Sequence, residues 1–156
     1  MPGFTREAYD EIVSRARHGG DAEVCGVLGG RAIQSGSGPV RSGIDAVVTT
    51  VYPVENVAAS PRSRYELDPE EQLAAIEELT SRDLTLIGFY HSHPRGPPIP
   101  SETDLESATW PDASYVIVAF DGEPYVGSWR WDGEAFQPEA VRLVPGDSEA
   151  FSTRDN

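Results

Sequence analysis

The chain is 156 residues long, a length that suits one domain with a substantial hydrophobic core. It carries 26 acidic and 12 basic residues, so its formal net charge is -14. We expect no nucleic-acid partner, because the sequence has no basic stripe to neutralise phosphates. No apolar run approaches the length of a membrane span and the N-terminus lacks a secretory signal pattern, so we expect a soluble, cytoplasmic protein with no membrane partner.

All of the basic residues are arginine, and the chain contains no lysine. One explanation is adaptation to the high-salt cytoplasm of a halophilic archaeon, where screening over about 3 Å at 1 M salt limits repulsion between carboxylates. The other explanation is a GC-rich genome, which favours arginine codons over lysine codons. The dependence of stability on salt distinguishes the two.

Helical and extended patterns alternate along the chain. Thr5 suits a helix cap, and Asp68 followed by Pro69 and two glutamates is a strong helix start. The predicted helices cover residues 5–17, 68–80 and 101–109, and the predicted strands cover residues 22–30, 46–54, 84–90, 114–120, 125–131 and 135–143.

The segments between these elements are irregular. Residues 31–43 are rich in Gly and Ser, residues 55–67 follow no regular pattern, and residues 145–156 form an acidic, polar tail. Helices are interspersed with hairpins, and no repeat or domain boundary is visible. We therefore predict one domain over residues 1–156 of the α/β (α+β mixed) class, with a mixed sheet flanked by helices.

Two of the three histidines stand one residue apart, directly after an apolar run that indicates a buried strand. Side chains two apart on a strand share a face, so His91 and His93 can direct both imidazoles at one point while Ser92 faces away. The next seven residues are mostly Pro and Gly and indicate a stiff bend. This bend can return Asp104 to the histidines, giving an N/N/O donor set that suits zinc with a free fourth position.

The segment that carries Asp104 also has a purely structural interpretation. Ser101 followed by an acid three residues later is typical of a helix N-terminus, with the serine as cap and the acid as its returning partner. The two interpretations are compatible, because a capping serine fixes where the helix starts and so where Asp104 points.

Three further kinds of residue have simple structural interpretations. Glu23 is the one charged residue of the segment 22–30, and alone it indicates a solvated carboxylate at a strand edge. Cys25 is the single cysteine, which excludes an internal disulfide and a thiolate cluster, and it suits a small core position. Trp129 and Trp131 alternate along a strand, which indicates packing in the sheet.

Taken together, these features resemble the JAMM (MPN-plus) metallopeptidase family. The family spacing His-x-His-x(7)-Ser-x-x-Asp is met by His91, His93, Ser101 and Asp104. The string Glu-x-Cys-Gly-x-Leu-x-Gly, beginning at Glu23, matches the family's first strand after its first helix, and the resemblance covers about residues 4–144. It implies a curved mixed sheet of the JAMM/MPN, cytidine-deaminase-like fold.

The resemblance implies a zinc site and a hydrolytic mechanism. Zinc is then held by His91, His93 and Asp104, with a water whose pKa it lowers and a carbonyl that it polarises. Glu23 takes the proton of the water and returns it to the leaving amine, and Ser101 donates its hydroxyl to the oxyanion. A serine hydroxyl can do this and still accept a backbone N–H at a helix cap.

The resemblance also implies a substrate class. The family cleaves isopeptide or peptide bonds after the C-terminal glycines of ubiquitin-like proteins, and this small acidic chain is similar to archaeal members that remove ubiquitin-like modifiers from lysine. Only ten residues separate Asp104 from the strand at Tyr115, so a long second insertion is absent and broad linkage tolerance is expected. Residues 54–64 are the expected flap beside an extended Gly-Gly tail.

Two alternatives stay open. A bacterial-type relative releases an amino acid from a sulfur-carrier protein, and it would cut a linear carrier–amino-acid adduct far better than a lysine isopeptide. A zinc-stabilised interaction module would keep its partner binding in Glu23→Ala and yield no product.

Overall fold

The structure is a computed structural model that describes residues 2–32, 46–121 and 123–144. The strands are β1 (Pro2–Phe4), β2 (Cys25–Ala32), β3 (Ala46–Val54), β4 (Thr85–His93), β5 (Ser114–Asp121), β6 (Glu123–Trp131), β7 (Phe136–Glu139) and β8 (Arg142–Leu143). The helices are α1 (Arg6–His18), α2 (Pro69–Ser81) and α3 (Glu102–Ser107). The tail 145–156 and most of the predicted loop 31–43 lie outside the described residues.

These strands form one mixed sheet in the order β7-β6-β5-β4-β2-β3-β1-β8. The pairs β1–β3, β1–β8 and β4–β5 are parallel, and the other four pairs are antiparallel. Strands β7 and β8 lie at opposite edges although only residues 140 and 141 separate them. The two edges must therefore approach each other, and the sheet is curled. The predicted class, a curved mixed sheet flanked by helices, is confirmed.

The strands differ from the sequence prediction in several places. The single strand predicted over residues 135–143 is wrong, because the chain leaves one edge of the sheet after β7 and joins the opposite edge as β8. The prediction missed β1, whose three residues are too short for a periodic signal. Strand β2 begins at Cys25 rather than at residue 22, and β4 continues through His93.

The two long helices cover opposite faces of the sheet. The Thr5 side chain caps α1 by accepting a hydrogen bond from the Ala8 amide at 3.1 Å, as predicted. Helix α2 begins after Asp68, but the Asp68 side chain makes no capping hydrogen bond. A Cβ on Gly29 of β2 would lie 2.1 Å from Leu79, so only glycine allows α2 to pack this closely on the sheet.

Alternating residues of the central strands supply two hydrophobic clusters, one on each face. Leu28 and Val116 pack on the α1 face, whereas their neighbours Val27 and Tyr115 pack on the α2 face. Burial on both faces explains why these strands appear in the sequence as continuous apolar runs. The central strand β4 is buried from Ile87 to His93, and its end carries the histidines. No helix among the described residues is long and apolar enough to cross a membrane.

Candidate metal centre

Three side-chain donor atoms converge where β4 ends and α3 begins. The Nε2 atoms of His91 and His93 lie 3.1 Å apart, and each lies 3.1 Å from Oδ2 of Asp104. All three side chains are buried, with Asp104 only 4% exposed. The structure thus brings together the two histidines and the aspartate that the spacing singled out.

A capping box fixes the direction of Asp104. The Asp104 amide donates to the Ser101 hydroxyl at 3.0 Å, and the Ser101 amide donates to Oδ2 of Asp104 at 2.9 Å. The capping interpretation of this segment is therefore confirmed, and it coexists with the approach of Asp104 to the histidines. The Ser101 hydroxyl accepts at the cap, so its own hydrogen is available to donate elsewhere.

The two histidines are oriented by different contacts. Nδ1 of His93 lies 2.8 Å from the Pro97 carbonyl, so it carries the hydrogen and leaves Nε2 as an acceptor. The His91 ring stacks on Tyr65, with centroids 4.1 Å apart and planes at 20°, and its buried Nδ1 has no hydrogen-bond partner. Tyr65 comes from the irregular segment 55–67, whose contribution to the centre the sequence did not reveal.

The titration of these groups reflects burial and their mutual contact. Burial lowers the pKa of His91. Burial also acts to lower the pKa of His93, but its hydrogen bonds with Asp104 and Pro97 outweigh burial and raise it. Burial acts to raise the pKa of Asp104, yet hydrogen bonding with the two histidines holds it well below its usual range.

Trp129 holds the Pro-rich bend between the histidines and Asp104. Its indole Nε1 donates to the Pro98 carbonyl at 3.0 Å, and a Cβ on Gly127 would lie 3.0 Å from the same oxygen. The bend thus rests directly on β6. The sequence indicated only sheet packing for Trp129 and Trp131, and this interpretation fits Trp131, which packs against Phe136 in the core.

Glu23 faces the same point from the segment before β2. One carboxylate oxygen of Glu23 and one ring nitrogen of each histidine all lie within 4.8 Å of one another. Glu23 is 7% exposed, and its Oε1 is buried without a hydrogen-bond partner. Burial raises the pKa of the Glu23 carboxyl to about 7, with His93 opposing the shift and Asp104 adding to it. The interpretation of Glu23 as a solvated edge residue is wrong.

The backbone around Glu23 is anchored by long-range hydrogen bonds. Its amide donates to the Pro61 carbonyl at 2.7 Å, and its carbonyl accepts from Nδ2 of Asn56 at 2.9 Å. The next residue, Val24, donates to the Ser92 hydroxyl at 2.9 Å and accepts from the Ser92 amide at 3.0 Å. Ser92 thus points away from the histidines, as predicted, and holds the Glu23 segment against β4.

Asn56 uses all of its side-chain hydrogen-bonding groups. Nδ2 donates to the carbonyls of Glu23 and Arg64, and Oδ1 accepts from the amides of Ala58 and Glu66 at 3.0 Å each. This single side chain therefore connects Glu23 to the segment that carries Tyr65. No sequence pattern singled out Asn56, because its partners are scattered along the chain.

Cys25 has no catalytic feature. It is 1% exposed, and its thiol lies 3.5 Å from the Val54 carbonyl, within hydrogen-bonding distance for sulfur. Burial raises the pKa of Cys25 to about 12, so the thiol stays protonated at neutral pH. The core interpretation of this residue fits the structure.

Two of the clefts among the described residues lie beside the donor cluster. The first, of about 590 Å³, lies between the segment 58–67 and α3, and Tyr65 and Trp110 line it. The second, also of about 590 Å³, is lined by Glu23, His93 and Ser101. An extended chain crossing from one cleft to the other would pass the donor cluster.

The donor set fits a metal cation. In its neutral form His93 carries its hydrogen on Nδ1, so the Nε2 lone pair and Oδ2 of Asp104, 3.1 Å apart, are both free to bind a cation placed between them. Imidazole nitrogens with one carboxylate form a common set for divalent transition metals. The curled sheet and this buried N/N/O cluster, with a carboxylate opposite, define the class as a metal-dependent hydrolase.

Comparison with known proteins agrees with this class. The model for prokaryotic homologues of the JAB domain matches residues 5–132. The chain therefore belongs to this family, the JAMM metallopeptidases that the motif spacing resembles. No segment of the spacing motif or of the Glu23 string lies outside the matched residues.

Similar proteins match most of the chain. It is 44% identical to the desampylase of Haloferax volcanii, over 88% of this chain and 92% of the relative. It is 35% identical to a CysO-cysteine peptidase of Mycobacterium bovis, over 88% of each. A solution structure of a Desulfitobacterium hafniense protein, 32% identical, superposes with a TM-score of 0.78 over 92% of this chain and 93% of that one.

Proposed function

We propose that this protein is a zinc-dependent isopeptidase that hydrolyses the bond after the C-terminal Gly-Gly of a ubiquitin-like modifier, attached to lysine or in linear fusion. The observation that carries the proposal is the convergence of His91, His93 and Asp104 at 3.1 Å, with Glu23 buried opposite them. We also propose that residues 1–156 form one domain and that the protein is located in the cytoplasm.

Zinc suits the cluster on geometric grounds. Donors about 2.0–2.1 Å from a tetrahedral zinc lie about 3.3 Å from one another, close to the 3.1 Å seen among His91, His93 and Asp104. Zinc bound there supplies Lewis-acid polarisation of the scissile carbonyl and lowers the pKa of a water toward 7. Three protein ligands leave a fourth position for this chemistry.

Glu23 acts as the proton carrier in this proposal. Oε1 of Glu23 has no hydrogen-bond partner in the part of the chain that the structure describes, so it is available to take a proton from the attacking water and return it to the leaving amine. Burial of the Glu23 carboxyl raises its pKa in the metal-free protein, which favours uptake of a proton by this group. Ser101 keeps its hydroxyl hydrogen free of the cap and donates it to the oxyanion.

The first cleft suits the modifier tail. It runs between the segment 58–67 and α3 and leads to the donor cluster past Tyr65. Glycine has no Cβ, so a Gly-Gly tail can lie in extended form in a narrow, aromatic-lined groove. This arrangement supports the prediction that residues 54–64 act as a flap, and the 44% identical desampylase supports a modifier conjugate as substrate.

The second candidate function is release of an amino acid from a sulfur-carrier protein. The 35% identity to a CysO-cysteine peptidase favours it, and it uses the same bond cleavage. The two functions differ in what carries the leaving amine, a protein lysine or a single amino acid.

One experiment tests the proposal and separates the alternatives. The purified protein is incubated with a ubiquitin-like protein joined through Gly-Gly either to a lysine side chain or to one C-terminal amino acid. We expect cleavage of the lysine conjugate that stops with a chelator and returns with zinc. Preferential cleavage of the amino-acid adduct supports the second function. Activity without metal, or binding with no product from either substrate, contradicts the zinc-peptidase proposal.

A further inference from the structure

The leaving amine must lie in the second cleft if Glu23 protonates it. This cleft is lined by Glu23, His93 and Ser101, the proposed proton carrier, one donor of the metal cluster and the oxyanion donor. The modifier tail occupies the first cleft, so whatever carries the amine continues into the second. The chemistry of the second cleft therefore determines which leaving groups are accepted.

Two arginines line this second cleft. Arg62 comes from the segment before Tyr65, and Arg95 comes from the Pro-rich bend, so the two lie on different loops. Both are exposed and belong to a chain whose formal net charge is -14. Two positive side chains thus line one cleft of a protein whose net charge is strongly negative.

Neither arginine makes a strong ion pair with another described residue of the protein. Arg95 has no ion-pair partner in the part of the chain that the structure describes. Arg62 lies 3.9 Å from Asp21, and both side chains are more than 70% exposed, so this pair is worth little. Arg6 lies 3.4 Å from Asp10 on α1 with both side chains similarly exposed, and it does not line this cleft.

We propose that Arg62 and Arg95 form a subsite that binds a carboxylate on the leaving-amine side of the scissile bond. The proposal rests on the peptidase function and names the leaving group that it prefers. A guanidinium presents planar N–H donors that match a carboxylate, and two of them on opposite loops can hold one from both sides. The carboxylate can be the α-carboxylate of a single amino acid or an Asp or Glu beside a modified lysine.

The test compares leaving groups that differ in one carboxylate. A ubiquitin-like protein ending in Gly-Gly is joined to glycine or to glycinamide, and to the lysine of a short peptide whose neighbours are Asp or Asn. For zinc-loaded wild type, we expect kcat/KM to be about tenfold higher for the carboxylate-bearing member of at least one pair.

The variant Arg62→Gln/Arg95→Gln should reduce this ratio to about one, because kcat/KM falls more for the carboxylate-bearing member than for the amide or Asn member. The matched control Arg6→Gln/Arg142→Gln removes the same charge from α1 and β8 and should keep the ratio. Discrimination only between glycine and glycinamide identifies the α-carboxylate as the ligand. Discrimination only between Asp and Asn identifies an acidic target protein.

Other results overturn the inference. Equal rates within both pairs, or a ratio that survives the double variant, contradict the subsite while the peptidase function stands. Equal loss of all substrates in the folded double variant also contradicts it, since the arginines would then serve the bond cleavage itself. Failure of zinc-loaded wild type to cut any of the four substrates contradicts the peptidase function, and the subsite with it.

Discussion

At the scale of single residues, the buried carboxylate of Glu23 is the most costly feature of the centre. A buried polar atom without a partner, such as Oε1 of Glu23, costs about 1–3 kcal/mol of folding free energy. The side chain stays in place because the backbone on both sides of it is fixed by hydrogen bonds with Asn56, with the Pro61 carbonyl and with Ser92. The structure thus positions Glu23 through its main chain and leaves its side chain available for proton transfer.

Asn56→Asp should impair turnover without removing the metal. The substitution keeps the shape but replaces two N–H donors by acceptors facing the carbonyls of Glu23 and Arg64, so the anchor of Glu23 is lost. We expect kcat to fall about 10- to 100-fold, with KM and zinc content nearly unchanged, measured by steady-state kinetics and a chromogenic zinc assay.

The control is Gln137→Glu, which makes the same chemical change at an exposed amide bonded to Asp132. It should leave kcat within about twofold. A fall in zinc content equal to the fall in kcat in Asn56→Asp would show that Asn56 supports the metal cluster, and would contradict a role through Glu23.

The three donor residues could be predicted from the sequence, whereas the residues that hold the centre in place could not. His91, His93 and Asp104 are close in sequence, so strand alternation and a short bend were enough to bring them together. Asn56, Tyr65 and Trp129 contribute through partners that lie 26–33 residues away, and Asn56 and Trp129 act on backbone carbonyls, which carry no sequence signal. The resemblance identified Glu23, whose own pattern favoured the wrong interpretation.

At the scale of elements, the Pro-rich bend is the part that assembles the centre. It joins β4 to α3, its Pro97 carbonyl orients His93, and its Pro98 carbonyl is held by Trp129 on β6. Proline restricts the backbone of the bend before folding, which lowers the entropy lost on ordering it.

Trp129→Phe should weaken metal binding. The phenyl ring retains much of the packing but cannot donate to Pro98, so the neighbouring Pro97 carbonyl and the His93 ring become less well fixed. We expect zinc affinity, measured by competition with a chelating dye, to fall about 10- to 100-fold.

Trp131→Phe is the matched control on the same strand face. Trp131 packs against Phe136 in the core and makes no hydrogen bond to the bend among the described residues. It should lower the melting temperature and leave zinc affinity unchanged. The same loss of zinc affinity in both variants would point to general loosening of the sheet instead of the Trp129–Pro98 hydrogen bond.

Element type could largely be predicted from periodicity, whereas element ends depended on tertiary contacts. Strand β3 has the predicted ends, since it is bounded by clear sequence signals. Strand β2 begins two residues after Glu23 because the hydrogen bonds of Val24 go to Ser92. The division of residues 135–143 between β7 and β8 depends on how the two edges of the sheet approach each other. The local sequence pattern does not indicate this.

At the scale of the whole molecule, the acidic surface should determine how stability depends on salt. With a net charge of -14 and no lysine, repulsion between carboxylates destabilises the folded state when the Debye length is about 10 Å at 0.1 M salt. The 44% identical relative from Haloferax volcanii supports the halophile explanation of this composition.

We expect the melting temperature to rise by at least about 5 °C between about 0.1 M and 2 M KCl, since screening removes this repulsion. Differential scanning calorimetry of the metal-free and zinc-loaded protein would measure it. A melting temperature that does not change with KCl would instead favour genome composition as the origin of the missing lysine.

The most direct test of the account measures zinc stoichiometry and turnover together in Glu23→Gln and Asp104→Ala. The account predicts one zinc per chain in wild type and in Glu23→Gln, with kcat in Glu23→Gln lower by about 10²–10⁴-fold on a Gly-Gly lysine conjugate. Asp104→Ala should lose both the zinc and the turnover. Zinc-loaded Glu23→Gln that cleaves at the wild-type rate, or Asp104→Ala that keeps its zinc and its activity, would contradict the assignment of ligands and proton carrier.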